Sequence, residues 1–284
     1  MVSLLLVALC ISSALSLPQR DRSSGKVSDL VYGGKILHNP IPSLVIITRE
    51  NYNPEINGFF CGGSLLNSRF VLTAAHCTVI MFGEEKSTIY GGVSSLHQMS
   101  GEGVQSSQVK NIWMYPTFNN QTYEDDIAVI ELEDDFEFTS VVQPVDIYAD
   151  DMFAEVPVDQ EVFIAGFGFA TYTTPMPDNF DLNFAAVKLV DRDTCRKDWE
   201  PLNKPITENQ ICTSARGKGL VYGDSGSPIF YPQKNSTIFS NNLRQIGIVS
   251  NGEVGNEAIP DYSIRTAKYC DWINEKTQGT YSCL

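Results

Sequence analysis

Three short segments carry side chains able to do chemistry together: "TAAHC" (73–77), "DDIAVIEL" (125–132) and "GDSGSP" (223–228). They supply an imidazole, His76, a carboxylate, Asp126, and a hydroxyl, Ser225. A serine hydroxyl is a poor nucleophile at neutral pH and needs an imidazole to take its proton. The imidazole needs a partner that fixes its tautomer and stabilises its cation. Together the three make an acyl-transfer machine, with His76 as general base, Asp126 as orienting carboxylate and Ser225 as nucleophile. Each segment alone has a plainer explanation: a histidine in an apolar stretch is commonly a core residue, and Asp126 can simply open a strand. The nucleophile elbow of an α/β-hydrolase is excluded twice. Ser227 stands where G-x-S-x-G requires its second glycine, and the chain order is His, Asp, Ser rather than Ser, Asp, His.

The segments that must position these groups are short apolar runs parted by glycine, asparagine and proline. "SLVIIT" (43–48), "RFVLTA" (69–74), "DIAVIEL" (126–132), "EVFIAGFG" (161–168) and "QIGIVS" (245–250) have the length and composition of strands in a sandwich or barrel. A helical pattern occurs only near the C-terminus, in "IRTAKYCDWINEKT", with Ile264, Ala267, Trp272 and Ile273 apolar. No repeat of fixed period is visible. Proline and acid gather in "YADDMFAEVPVD" (148–159), which suggests a crossing between two halves of similar size.

The chain has 284 residues, 43% of them apolar, enough for one large core or two modest ones. It opens "MVSLLLVALCISSALS", an apolar run followed by small residues, which reads as a secretory signal cleaved after Ser16. A membrane anchor needs about twenty apolar residues and is disfavoured. Cys10 lies in this leader, so six of seven cysteines remain, an even number that implies three disulfides with 15 connectivities open. No CxxC pair is present, so zinc is not expected. Sequons at Asn120 and Asn235 agree with a secreted, extracellular protein. A formal charge of −14 argues against nucleic acid and anionic membranes as partners. The acidic run 131–138 reads as a solvated strand end.

The order and the motifs resemble the chymotrypsin-like (trypsin-like) serine peptidases over Val31 to about Asn274. "CGGSLLNSRFVLTAAHC", "AGFG" (165–168, with Phe167 for tryptophan) and "PDYSIRTAKYCDWI" carry the resemblance between the motifs. It implies an all-β fold of two packed six-stranded Greek-key barrels with a C-terminal α-helix. The barrels would cover about 31–150 and 151–265, with helix and tail over 266–284, after a signal (1–16) and a propeptide (17–30). The resemblance pairs Cys61 with Cys77 and Cys195 with Cys212. A further family disulfide would need a cysteine where Val221 stands, which leaves Cys270 with Cys283. It aims the N–H groups of Gly223 and Ser225 at the oxyanion, and it pairs a new N-terminus at Val31 with Asp224. Here Leu30 precedes Val31 instead of a basic residue. The activator therefore either tolerates leucine or cuts after Lys26 and trimming follows. The calcium-loop glutamates of the family are not evident near 91–103, so no metal and no cofactor are expected.

For specificity, the resemblance places Gly219 at the base of the S1 pocket, with Leu220 beside it and Ser250, Asn251 and Gly252 as wall. Trypsin-like members carry aspartate at the position of Gly219, so strict Arg/Lys preference is not expected. Asp261 stands across the base and can receive a basic P1 side chain, as in broad-specificity collagenolytic relatives; alternatively "PDYS" only turns at the surface. The expected P1 is large and hydrophobic, or broad with basic residues included. Expected partners are protein or peptide substrates, an activating protease and protein inhibitors, acting on a monomer. A different class of function, a non-catalytic homologue that binds or signals, is disfavoured because His76, Asp126 and Ser225 are all retained.

Overall fold

A computed structural model describes residues 34–49, 61–79, 87–154, 156–168, 181–214, 218–220, 223–233, 243–252 and 258–284. The leader, the segment 17–30, Val31, Val221 and Asn235 lie outside these residues. The strands of the first half are β1 (Lys35–Ile36), β2 (Leu44–Arg49), β3 (Cys61–Leu65), β4 (Phe70–Thr73), β5 (Ser87–Gly91), β6 (Gln105–Met114) and β7 (Ala128–Leu132). The second half contributes β8 (Asp146–Ile147), β9 (Glu161–Gly166), β10 (Asn183–Val190), β11 (Gln210–Ser214), β12 (Pro228–Pro232), β13 (Leu243–Asn251) and β14 (Asp261–Arg265).

Strands β2 to β7 close a barrel in the order β2-β3-β4-β7-β6-β5, every pair antiparallel. The second barrel runs β10-β11-β14-β13-β12-β9 and closes through the β9–β10 pair. Alternation drives the closure. In β5 the residues Ser87, Ile89 and Gly91 are buried while Thr88 and Tyr90 are half-exposed, the period of a strand with one face on a core. All five residues of β7 are buried, because its outer face is also covered. The C-terminal helix α4 (Cys270–Lys276) and the turn before it press Tyr269, Trp272 and Ile273 into the core of the first barrel.

Two short strands cross the expected halves. β1 pairs with β10 of the second barrel, and β8 runs parallel to β13. The helices α1 (Ala75–Val79) and α2 (Asp150–Ala154) are single turns. Helix α3 (Arg192–Trp199) is an addition to the sequence reading, which expects a helix only at the C-terminus. The Asp191 side chain accepts the Thr194 N–H at its start, and Cys195 and Trp199, one turn apart, form its buried face. Disulfides join Cys61 to Cys77, Cys195 to Cys212 and Cys270 to Cys283. Among the described residues no helix is long and apolar enough to cross a membrane.

The barrels meet along a seam with few atoms to spare. Gly62 N–H donates to the Ser225 carbonyl (2.8 Å), and Ser64 Oγ donates to the buried Gln245 Oε1 (2.6 Å). Ser227, fully buried, presses its hydroxyl onto Gly62, where an added Cβ would collide with it. We expect Gly62→Ala to lower the unfolding free energy by about 1–3 kcal/mol, and Ser227→Gly in the same chain to recover part of that loss. Denaturant titration of both single variants and the double variant measures the coupling; strict additivity would sink the account.

Candidate active site

The site is assembled where α1, the turn 223–227 and the end of β13 converge. Asp126 is fully buried, so its carboxylate must be hydrogen-bonded to offset lost hydration. Its Oδ1 accepts the backbone N–H of His76 at 2.8 Å. Its Oδ2 accepts from Ser250 Oγ at 2.6 Å and lies 2.7 Å from His76 Nδ1. The arrangement fixes the imidazole twice, by its ring and by its own backbone. With Nδ1–H on the carboxylate, Nε2 is left as the basic nitrogen, the tautomer that can take a proton from a hydroxyl.

Ser225 stands in a turn tied to both barrels. Its carbonyl accepts from Gly62, Gly226 N–H donates to Val249 O, and Ser227 N–H donates to Asp224 O. Gly223 has φ +96°, the left-handed region that glycine enters without strain. No hydrogen bond joins the Ser225 hydroxyl to the imidazole, though both are described; in substrate-free enzymes this contact is commonly long and tightens with substrate. Asp224 is 2% exposed, and its Oδ1 accepts the N–H of Gly168 at 3.0 Å. Its sequence-expected partner, Val31, is outside the described residues.

Asp261 opens β14 rather than a surface turn. Its Oδ2 accepts the Leu220 N–H at 2.9 Å and would lie 3.1 Å from a Cβ on Gly219. A Cβ on Gly252 would collide with the same carboxylate. Gly219, Leu220, Gly252 and Asp261 therefore form one cluster, and glycine at 252 is a condition of it. Burial pushes the Asp261 carboxyl up to about 7, against the single N–H of Leu220 that lowers it. Asn251 turns away: its Nδ2 donates to Tyr262 Oη (2.9 Å) and its Oδ1 accepts the Gly252 N–H (2.8 Å).

Sequence reasoning singled out Asn120 in the loop before Asp126, but not Tyr123 or Asp125. Tyr123 and Asp125 both have left-handed backbones, at φ 60° and 53°. The Tyr123 ring stands edge-on to His76, with centroids 5.4 Å apart. Asp125 accepts from Thr117 Oγ1, Asn209 Nδ2 and Tyr269 Oη, which ties the loop to the second barrel and to the turn leading into α4. Both residues lie within three positions of Asp126, which is the one signal that could have flagged them. The potential ligand atoms of Cys61, His76 and Cys77 cluster within 4.8 Å. Both sulfurs are in one disulfide, so neither offers the thiolate a metal requires. Asn120 is exposed on this same loop.

With this geometry in view, comparison gives the class. The Trypsin family profile matches residues 37–273. Chymotrypsin-2 of Vespa crabro is 30% identical over 76% of this chain and 88% of its own length. The CLIP domain-containing serine protease B9 of Anopheles gambiae is 27% identical over 90% of this chain, and the mannan-binding lectin serine protease 1 of Mus musculus 29% over 73%. The chain spans 65% of the mosquito protein and 30% of the mouse one. The chain belongs to the trypsin family, a family of serine-type endopeptidases.

Asp261 also shapes stability. In an unfolded chain it ionises near 3.8, whereas in the fold it keeps its proton to about 7. Between these values the native state binds more protons, so this group makes the protein lose stability as pH rises from about 4 to about 7. We expect Asp261→Asn, which keeps an acceptor for Leu220, to be more stable than the parent by up to about 4 kcal/mol near pH 8 and equal to it near pH 4. Denaturant melts at the two pH values test this; an equal gain at both would contradict it.

Proposed function

We propose that this protein is a secreted serine endopeptidase, made as a zymogen, that cleaves peptide bonds through an acyl-enzyme on Ser225. The observation that carries the reading is the His76–Asp126 pair, held by three hydrogen bonds beside the turn that bears Ser225, in a chain of the trypsin family. Ser225 Oγ attacks the substrate carbonyl carbon while its proton passes to His76 Nε2. The N–H groups of Gly223 and Ser225 receive the oxyanion, each worth roughly 3 kcal/mol in the transition state. His76 then gives its proton to the leaving amine, and a water, activated in the same way, releases the acyl group. Asp126 stays ionised throughout and stabilises the imidazolium.

Cleavage before Val31 frees an ammonium that pairs with Asp224, a buried carboxylate next to the nucleophile. Supporting compartment readings are the apolar leader, the three disulfides and the sequons; a glycan on exposed Asn120 would overhang the cleft. Protein substrates, an activating protease and protein inhibitors are the proposed partners of a monomer. An organophosphate should label Ser225 stoichiometrically in chain whose N-terminus reads Val31. Ser225→Ala should lose the label and at least about a thousandfold in kcat/KM. Folded, correctly cut chain that takes no label would overturn the enzymatic reading in favour of a binding protein.

In this reading, substrate adds as a strand along Ser250–Gly252 and places its P1 side chain against Gly219, Leu220 and Asp261. The pocket is mostly apolar with one carboxyl on its floor, so its preference follows that carboxyl's charge. Neutral Asp261 admits Phe, Tyr, Leu or Met; ionised Asp261 also admits Arg and Lys. The ratio of kcat/KM for P1 Arg over P1 Phe should rise as pH passes through about 7, and the ratio cancels any titration common to both substrates. A flat ratio would remove Asp261 from the pocket; cleavage after Arg and Lys alone at every pH would refute the broad preference.

A further inference from the structure

Lys204 lies outside every motif, in the segment after α3, yet its ammonium sits beside the catalytic cleft. Its Nζ donates to the Gln121 carbonyl at 2.6 Å and stands 5.5 Å from the centre of the Tyr123 ring. Tyr123 in turn stands on His76 at 5.4 Å. A second path reaches the same loop from the substrate-pairing strand: Asn251 Nδ2 donates to Tyr262 Oη, which lies 3.5 Å from the Thr122 carbonyl. The loop 121–123 therefore joins Lys204 to the end of β13, on the side of the cleft where residues preceding the scissile bond would run.

We propose that Lys204 is a specificity-determining residue that selects an acidic side chain two to four positions before the scissile bond. The two ring distances bound the reach from imidazole to ammonium, and at about 3.4 Å per extended residue that reach is at most about three residues. Among the described residues no salt bridge joins Lys204 to a carboxylate; its ammonium meets the Gln121 carbonyl and the Tyr123 ring. The neighbouring acids are committed elsewhere. Asp125 accepts from Thr117, Asn209 and Tyr269, and Glu124 accepts from Thr122 Oγ1. The carbonyl of Gln121 and the face of Tyr123 hold the ammonium in place, which lowers the entropy that an exposed lysine loses on pairing.

This inference rests on the peptidase reading and on substrate pairing along Ser250–Gly252. Its test uses activated full-length protein and a peptide series that varies only the second, third and fourth residues before the scissile bond among Glu, Gln and Lys. The parent should prefer Glu over Lys at one of these positions by about two- to fivefold in kcat/KM. Lys204→Gln should bring that ratio close to one, and Lys204→Glu should invert it. A lysine that only braces the loop would lower kcat/KM equally for every peptide, and that uniform loss, or an unchanged ratio, overturns the proposal. If no peptide is cleaved and Ser225 takes no label, the peptidase reading itself has failed.

Discussion

The structure turns on one buried carboxylate. Asp126 has no contact with water, and an ionised carboxylate in that position costs several kcal/mol unless donors surround it. Two of its donors come from α1 in the first barrel, and the third, Ser250, comes from β13 in the second. The group is satisfied only when both barrels dock in one register. The seam supplies that register through the Gly62–Ser225 and Ser64–Gln245 bonds and through the hydroxyl of Ser227 packed on a glycine. Docking and alignment of the imidazole are thus linked, because one bond that joins the halves, Ser250 Oγ to Asp126, ends on the carboxylate that orients His76.

Four buried or half-buried aspartates near the cleft find partners in different ways. Asp126 and Asp125 each collect three donors from within the protein. Asp224, 2% exposed, takes an N–H from Gly168. Burial pushes the Asp261 carboxyl up, and the Leu220 N–H it accepts offsets this only in part. A carboxyl held this poorly is a cost to the fold, and evolution tolerates such costs where a ligand supplies the missing partner. The proposed basic P1 side chain is a partner of that kind, which gives a physical reason for a destabilising residue to stand opposite Gly219.

Much of the fold was legible because it is written locally. "SLVIIT", "EVFIAGFG" and "QIGIVS" alternate or run apolar over strand lengths and became β2, β9 and β13. His76, Asp126 and Ser225 were legible as motifs, although the bonds that join Asp126 to His76 and Ser250 span 50 and 124 positions, which no local pattern encodes. Helix α3 escaped because only Cys195 and Trp199 face inward, too few apolar positions to form a stripe, while its cap at Asp191 was readable. The pairing of β1 with the second barrel escaped because a two-residue strand has no period. Tyr123 and Lys204 escaped because an aromatic in a polar loop and a lone lysine gain meaning only from what stands beside them.

Net charge and local charge act on different scales. With −14 spread over the molecule, the far field repels acidic substrates and slows their approach. At physiological salt that field decays over about 8 Å, whereas a contact inside the cleft is screened far less. A single ammonium fixed between the Gln121 carbonyl and the Tyr123 ring can therefore set the preference of one subsite against the sign of the whole surface. The far field then governs encounter and the lysine governs commitment, so the two effects separate by salt. Adding salt should speed encounter with acidic peptides, while discrimination at the subsite weakens only as the pair itself is screened.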